Sequence, residues 1–259
     1  MNQEQIAKYW DAKAEALQVN PAATMKDVIL RSLEIEAIGS RLKPDDELLD
    51  VGGGNAYAGI RWAPHCRRVL VVDFSENMIA AAHKAIGSEH PKVSAARGSV
   101  LDLGTYAGRF SATSCVRCLI NLATEADQLA AVDQLSRTLQ PGGRLFLIEG
   151  LEEGFAAMNQ ARRAMGLPAI ELDWHNRLFK RDTLETKLRE TLVIEERIDF
   201  GEYYFLSRVV HPLAVAPEEP AFDGRLNHVA RQIWQKGAVR GRFADLSTLV
   251  LYVCRKPAG

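Results

Sequence analysis

Half-cystines are scarce in this chain: four cysteines, Cys66, Cys115, Cys118 and Cys254, lie scattered through its 259 residues. Cys115 and Cys118 make a lone C-x-x-C, and a zinc site would need two further ligands that do not stand at ligand spacing. Reduced thiols and no metal site are therefore expected. No apolar run approaches the ~18 residues of a membrane span. The opening MNQEQ is polar and unlike a signal peptide, so a cytoplasmic location without a membrane span is expected. Neither charge sign dominates: 32 Lys plus Arg against 33 Asp plus Glu leave a net charge of −1. Without a global field, nucleic acid and anionic membranes are disfavoured partners, a local basic patch aside, and a small or neutral substrate is favoured. Repeats and low-complexity tails are also missing.

What is present is a chain with 47% apolar residues, able to bury a full core and long for a minimal open α/β domain. Helix-period positions Ile29, Leu30, Leu33, Ile35 and Ile38 follow a boundary at Asn20-Pro21, giving a helical lead-in of two or three segments over residues 1–40. Strand-like runs recur at 47–51, 68–72, 93–95, 111–116 and 143–148 with helical stretches between them. That alternation predicts βαβ units and a parallel sheet. Ser75 opens a helix through Ala82, and Thr124 opens one through Leu139 that stops at Pro141-Gly142. Beyond Glu149 the spacing predicts helices over 153–165 and 182–192, strands over 193–200 and 247–254, and between those strands an insert at about 201–246 with a helix over 227–235. An insert of that length suits a lid over the carboxyl edge of the sheet.

Within the first of these runs, Leu48-Leu49-Asp50-Val51 enters a glycine-packed turn, Gly52-Gly53-Gly54-Asn55-Ala56, and a second apolar run ends at Asp73. Residues without bulk let backbone approach a ligand, and an acid ending the next strand can accept hydrogen bonds from a ribose diol. The G-x-G-x-x-G spacing of dinucleotide enzymes is absent. Asp50-x-Gly52-x-Gly54-x-Ala56 instead resembles the first signature of class I S-adenosylmethionine-dependent methyltransferases, with Ala56 where a third glycine is common. Val69 to Met78 resembles the second strand of that family and its D-x-S-x-x-M helix entry. Gly98-Ser99-Val100-Leu101 stands where Gly-Asp-Ala is frequent, and Asp102 offers an alternative acid. Phe110 to Val116 is similar to an F-D-x-V strand with Ser111 in place of the acid. Arg117 to Leu122 fills the following loop, with Asn121 where a histidine is frequent. Leu139-Gln140-Pro141-Gly142-Gly143 is similar to the L-K-P-G-G entry to the fifth strand. These landmarks cover roughly residues 45–150.

The resemblance implies an α/β, Rossmann-like, doubly wound and mostly parallel seven-stranded sheet, with the helical lead-in and a helical lid before the last strand. It implies one methyltransferase domain: a cap at 1–40, a cofactor core at 41–150, and a substrate side at 151–259. The cofactor would be S-adenosylmethionine, held by Tyr9, Asp50, Gly52, Gly54, Asn55, Asp73, Phe74, Met78, Ser99, Val100, Leu101 and Arg117. Asp73 would take the ribose hydroxyls. Tyr9-Trp10 resembles an aromatic pair that closes over the cofactor, Tyr9 approaching the sulfonium by a cation–π contact, or else packs on the lid.

Methyl transfer is an in-line displacement, so alignment and water exclusion dominate, and a base is required only where the nucleophile must lose a proton. Candidates are His175 and His211, with Arg208 and Tyr204 suited to a polar, anionic substrate. The same segment, Tyr203 to His211, also fits a buried aromatic strand in which Arg208 pairs Glu202 or another acid. Thr24 and Asp27 fit a cap and an exposed charge, or an active-site roof. Three readings result: a methyltransferase acting on an oxygen of a small molecule or glycan, as monomer or homodimer; an RNA or protein methyltransferase, against which stands the absence of N/D-P-P-Y/F after the fourth strand; and an S-adenosylmethionine-binding protein without methyl transfer.

Overall fold

The computed structural model describes residues 3–17, 20 and 25–258; Pro21 and Thr24 lie outside the described residues. Two lead-in helices, α1 (Gln3–Leu17) and α2 (Val28–Gly39), precede β1 (Glu47–Val51), α3 (Tyr57–Trp62), β2 (Arg68–Asp73), α4 (Glu76–Ile86), β3 (Val93–Arg97), β4 (Phe110–Val116), α5 (Glu125–Thr138) and β5 (Leu139–Gly150). Then come α6 (Glu152–Ala164), α7 (Arg181–Arg189), β6 (Val193–Asp199), the insert, and β7 (Leu249–Arg255).

The strands form one seven-stranded sheet in the order β3-β2-β1-β4-β5-β7-β6, with β7 antiparallel to both β5 and β6 and the other pairings parallel. Apolar runs form these strands because both faces are covered. Successive residues of β5 divide accordingly: Phe146 and Ile148 join the core beneath α2, α3 and α6, while Leu145 and Leu147 join the core beneath α5 and α7. Helix starts follow side-chain caps. Ser75 accepts from the Met78 amide and Thr124 from the Asp127 amide.

The chain leaves β1 toward β2 and β3 on one side and returns to β4 on the other, so the carboxyl end of β1 is the switch point where open α/β sheets bind ligands. Residues 201–246 combine turns with helical segments, among them α8 (Gly201–Phe205), a π-helical turn (Leu206–Val210), α9 (His211–Val215) and α10 (Arg225–Lys236). Tyr203 to His211 is thus helix rather than strand. The insert is anchored by Phe200 stacked on Trp234 at 5.4 Å and by the Trp234 indole N–H donating to the Asp199 carbonyl at 2.8 Å. No described helix is long and apolar enough to cross a membrane.

Candidate active site

β1 ends in a turn whose backbone needs glycine. Gly52 and Gly54 hold φ of +70° and +57°, in the left-handed region that side chains resist. A Cβ on Gly53 would lie 2.4 Å from Asp50 Oδ2, and one on Gly52 would lie 2.5 Å from Cys118 Sγ. Ala56 takes the same left-handed conformation at φ +63°, doing with a methyl group what glycine does more easily. The turn is pinned from β2: the Gly54 amide donates to Asp73 Oδ2 and the Ser75 amide to Asp73 Oδ1, both at 2.9 Å.

Two acids therefore face the turn. Asp50 is 2% exposed; its Oδ1 accepts from the Ser114 hydroxyl at 2.9 Å and its Oδ2 has no partner. Burial pushes Asp50 up to about 7, with the Asp73 charge adding to the shift and the Ser114 bond and Arg31 opposing it. Burial likewise moves Asp73 up to about 6, against the Ser75 and Gly54 amides. A buried carboxylate oxygen without a donor is costly, which makes Asp50 Oδ2 a place for a cationic or N–H-bearing ligand group.

Around this turn opens a cavity with about 1300 Å³ of empty space, its mouth included. Of the expected cofactor residues, Asp50, Gly52, Gly54, Asp73, Phe74, Met78, Ser99, Val100, Leu101 and Arg117 line it. Asn55 does not; it is buried, its amide donating to the Asn20 carbonyl at 3.2 Å and its oxygen accepting from the Tyr57 amide at 3.4 Å. Tyr9 lines a second cavity, of about 1420 Å³, together with His175, Tyr204 and Arg208. The two cavities share Trp10, Arg117 and Asn121.

His211 lines neither cavity. It is 4% exposed, and its Nδ1 lies 2.8 Å from Asn227 Oδ1. His175 is also buried, packed 4.4 Å from the Tyr9 ring and 5.7 Å from the Trp10 ring, with its Nδ1 unpartnered. Burial lowers its pKa, Lys13 adding to that and Asp173 opposing it. Arg208 pairs with Asp27 rather than with Glu202. Asp27 caps α2 by accepting from the Leu30 amide at 2.9 Å and also accepts from the Tyr203 hydroxyl at 2.7 Å, so it is a buried charge and not an exposed one. Ser111 stands at the opposite end of the sheet, donating to Asp46 at 2.9 Å, so its departure from the family pattern does not touch the site.

Three site residues escape a reading of the sequence. Glu149, at the end of β5 and fully buried, accepts from the amides of Cys118, Leu119 and Ile120 at 3.1, 2.8 and 3.1 Å. It thereby holds the loop carrying Arg117 and Asn121. Arg117 has φ +51°, and its Nε donates at 3.0 Å to Glu34, which with Arg31 lines the first cavity. Burial raises the pKa of Glu34 and the Arg117 charge opposes it. A signal for Arg31 and Glu34 does exist: α2 is apolar on nearly every side, and two charges three residues apart on such a helix require a buried purpose.

Comparison with known proteins bears on this geometry. Residues 48–143 match the family model of a methyltransferase domain. No curated protein sequence matches the chain. Among solved structures it is similar to the N-methyltransferase NodS from Bradyrhizobium japonicum WM9 in complex with S-adenosyl-L-homocysteine, 18% identical over 96% of this chain and 98% of that one, with a TM-score of 0.57. It is similar to the methyltransferase in complex with the Haloferax volcanii Trm112 methyltransferase activator, 16% identical over 96% and 97%, with a TM-score of 0.62. The cyclase SpnF is 19% identical over 87% of this chain and 81% of that one, at 0.58. At these identities the structural likenesses speak to fold alone. The chain thus has a Rossmann-like fold shared with these solved structures, and its residues 48–143 match a methyltransferase domain.

Proposed function

We propose that this protein moves the methyl group of S-adenosylmethionine to an oxygen of a small-molecule or glycan acceptor held in the second cavity. The observation that carries the reading is the adjoining of the two cavities across Trp10, Arg117 and Asn121. A donor in one and an acceptor in the other would meet at that wall, which favours in-line approach and keeps water out. In this reading residues 41–150 form the cofactor side, 151–259 the substrate side with 201–246 as its lid, and 1–40 the cap.

The first cavity fits the cofactor. Each Asp73 oxygen accepts one amide and retains a lone pair for a ribose hydroxyl. The unpartnered Asp50 Oδ2 suits the ammonium of the methionine moiety. Phe74, Val100, Leu101 and Met78 supply apolar walls for the adenine, with the Ser99 hydroxyl beside them. Trp10, with Tyr9 packed 5.2 Å from it, supplies an aromatic face for the sulfonium. When bound, the cofactor supplies an electrophilic methyl group. His175, neutral because burial lowers its pKa, accepts the proton of the acceptor hydroxyl.

His175→Gln is expected to lower kcat on the order of a hundredfold, the low end of general-base effects, with S-adenosylhomocysteine affinity unchanged. In the wild type kcat should fall as the pH drops through the lowered histidine pKa. Turnover by the variant equal to that of the wild type removes His175 from the chemistry.

A second expectation concerns protons. Asp50, at about 7 in the free protein, ionises when an ammonium docks against it, so its own contribution to proton release on cofactor binding is about half a proton at pH 7 and close to one at pH 5.5. Calorimetry in buffers of different ionisation enthalpy reads this directly. Binding without proton release separates Asp50 from the ammonium.

A further inference from the structure

The second cavity narrows the acceptor, on the footing that it is the acceptor site. Part of its wall is apolar: Leu30, Ile120, Met158, Leu178, Phe222 and Leu249. Lys26 and Asp173, which also line it, are exposed; Lys13 is half-buried with its ammonium 5.5 Å from the Tyr9 ring, and Asn176, Tyr204 and Thr248 add polar groups to the wall. Deeper in, His175, Asn121 and Arg208 have unused hydrogen-bonding capacity.

One is His175 Nδ1, on a ring 5% exposed and without a partner. Another is Asn121 Oδ1, buried and unpartnered; its amide nitrogen donates to the Arg117 carbonyl at 2.8 Å, which fixes the oxygen as the free acceptor. Both stand on the side toward the cofactor cavity, since Asn121 lines both cavities and His175 packs on Trp10, which does too. The third is the Arg208 guanidinium. Among the described residues its one hydrogen-bond partner is Asp27, which leaves most of its five N–H groups unused. The ring of Phe222 lies 5.2 Å from it and that of Tyr204 5.8 Å.

The charge of Arg208 is already cancelled by Asp27. What it has left to offer is N–H groups rather than net positive potential, and such a group suits a neutral oxygen better than a second carboxylate. A saccharide would press many of its hydroxyls against the apolar part of the wall and leave those unpaired, each at a cost. A fused or aryl ring with one hydroxyl and one carbonyl suits the apolar wall and these three side chains.

We infer that the acceptor is a neutral, ring-bearing hydroxy carbonyl compound, its hydroxyl donated to the Asn121 and His175 side and its carbonyl oxygen accepting from Arg208. Methyl transfer would then form the ether bond at that hydroxyl oxygen as the sulfonium–methyl bond breaks, the proton passing to His175.

The test is calorimetry on protein saturated with S-adenosylhomocysteine. Probes are 4′-hydroxyacetophenone, 6-hydroxy-1-tetralone and 7-hydroxyflavone, against 4-hydroxybenzoate, 6-hydroxy-2-naphthoate, 2-naphthol, methyl glucoside and maltotriose. At least one hydroxy ketone should bind about tenfold more tightly than any carboxylate or saccharide, the worth of one well-placed hydrogen bond. Arg208→Met should remove that advantage over 2-naphthol while S-adenosylhomocysteine still binds. Because Arg208→Met strands Asp27, the pair Asp27→Asn with Arg208→Met is measured beside it, and so is Asn121→Ala. A saccharide or carboxylate binding best, or no ketone binding at all, overturns the inference. Methyl release from S-adenosylmethionine is followed in the same samples. Ketone binding without turnover leaves the binding inference standing and overturns the transfer reading, so the two fail separately.

Discussion

Replacing Asp73 with alanine is expected to weaken binding of S-adenosylhomocysteine by roughly 150-fold while the protein remains folded. Two ribose hydroxyls donating to a carboxylate are each worth about 1.5–3 kcal/mol, and the lower value for each already gives about 3 kcal/mol. The loss is not larger because the side chain lies at the edge of an open cavity, where water can take up the Gly54 and Ser75 amides left behind. Asp73→Asn should fall between the two, since an amide oxygen still accepts. The pH dependence adds a sign. Burial places this carboxyl at about 6, so the ionised acceptor is present above that pH and lost below it. Wild-type affinity should therefore decline more steeply as the pH falls through 6 than that of the asparagine variant, which keeps only the dependence that comes from Asp50. Unchanged affinity in Asp73→Ala would remove the ribose role.

That prediction rests on a part of the site that was legible in the chain before any coordinates. The glycine turn acts through backbone, and backbone demands are local: Gly52, Gly54 and Asp73 are recognised by spacing because the strand–turn–helix unit leaves no other spacing. The strands were legible for a related reason, being buried on both faces and hence continuously apolar. β5 is an instructive exception. It begins at Leu139 and not at Gly143, because Leu139 pairs with Phe110 ahead of a bulge and the chain extends directly from α5. Tyr203 to His211 went unread as helix because five of its residues form a π-helical turn, whose wider winding erases the 3.6-residue period. The acceptor side was least legible. Asp27 meets Arg208 across 181 residues and Glu34 meets Arg117 across 83, and no spacing rule reaches that far.

Glu149 belongs to that unread half, and Glu149→Gln is expected to have the largest combined effect on activity and stability. Its two oxygens accept three amides of the loop that carries Arg117 and Asn121, which line both cavities. An amide side chain must turn an N–H toward one of those donors, so the loop shifts. A shift of that loop disturbs alignment rather than affinity: kcat should fall by about a hundredfold at pH 9, with S-adenosylhomocysteine binding changed far less. The pH dependence distinguishes positioning from simple destabilisation. Burial pushes the carboxyl up to about 8, against the three amides that oppose the shift. Below that pH the wild type carries a proton and resembles the variant; above it the carboxylate grips the loop. The activity gap should therefore widen as the pH rises. Stability runs the other way. A carboxyl raised above its unfolded value contributes stability that is present below the unfolded pKa and lost as the pH rises through 8, a loss the neutral glutamine does not share. The gap in melting temperature should thus narrow between about pH 4.5 and pH 8, whereas the gap in kcat opens as the pH passes 8. If both gaps widened or closed together, Glu149 would be a packing residue and not the one that positions the loop.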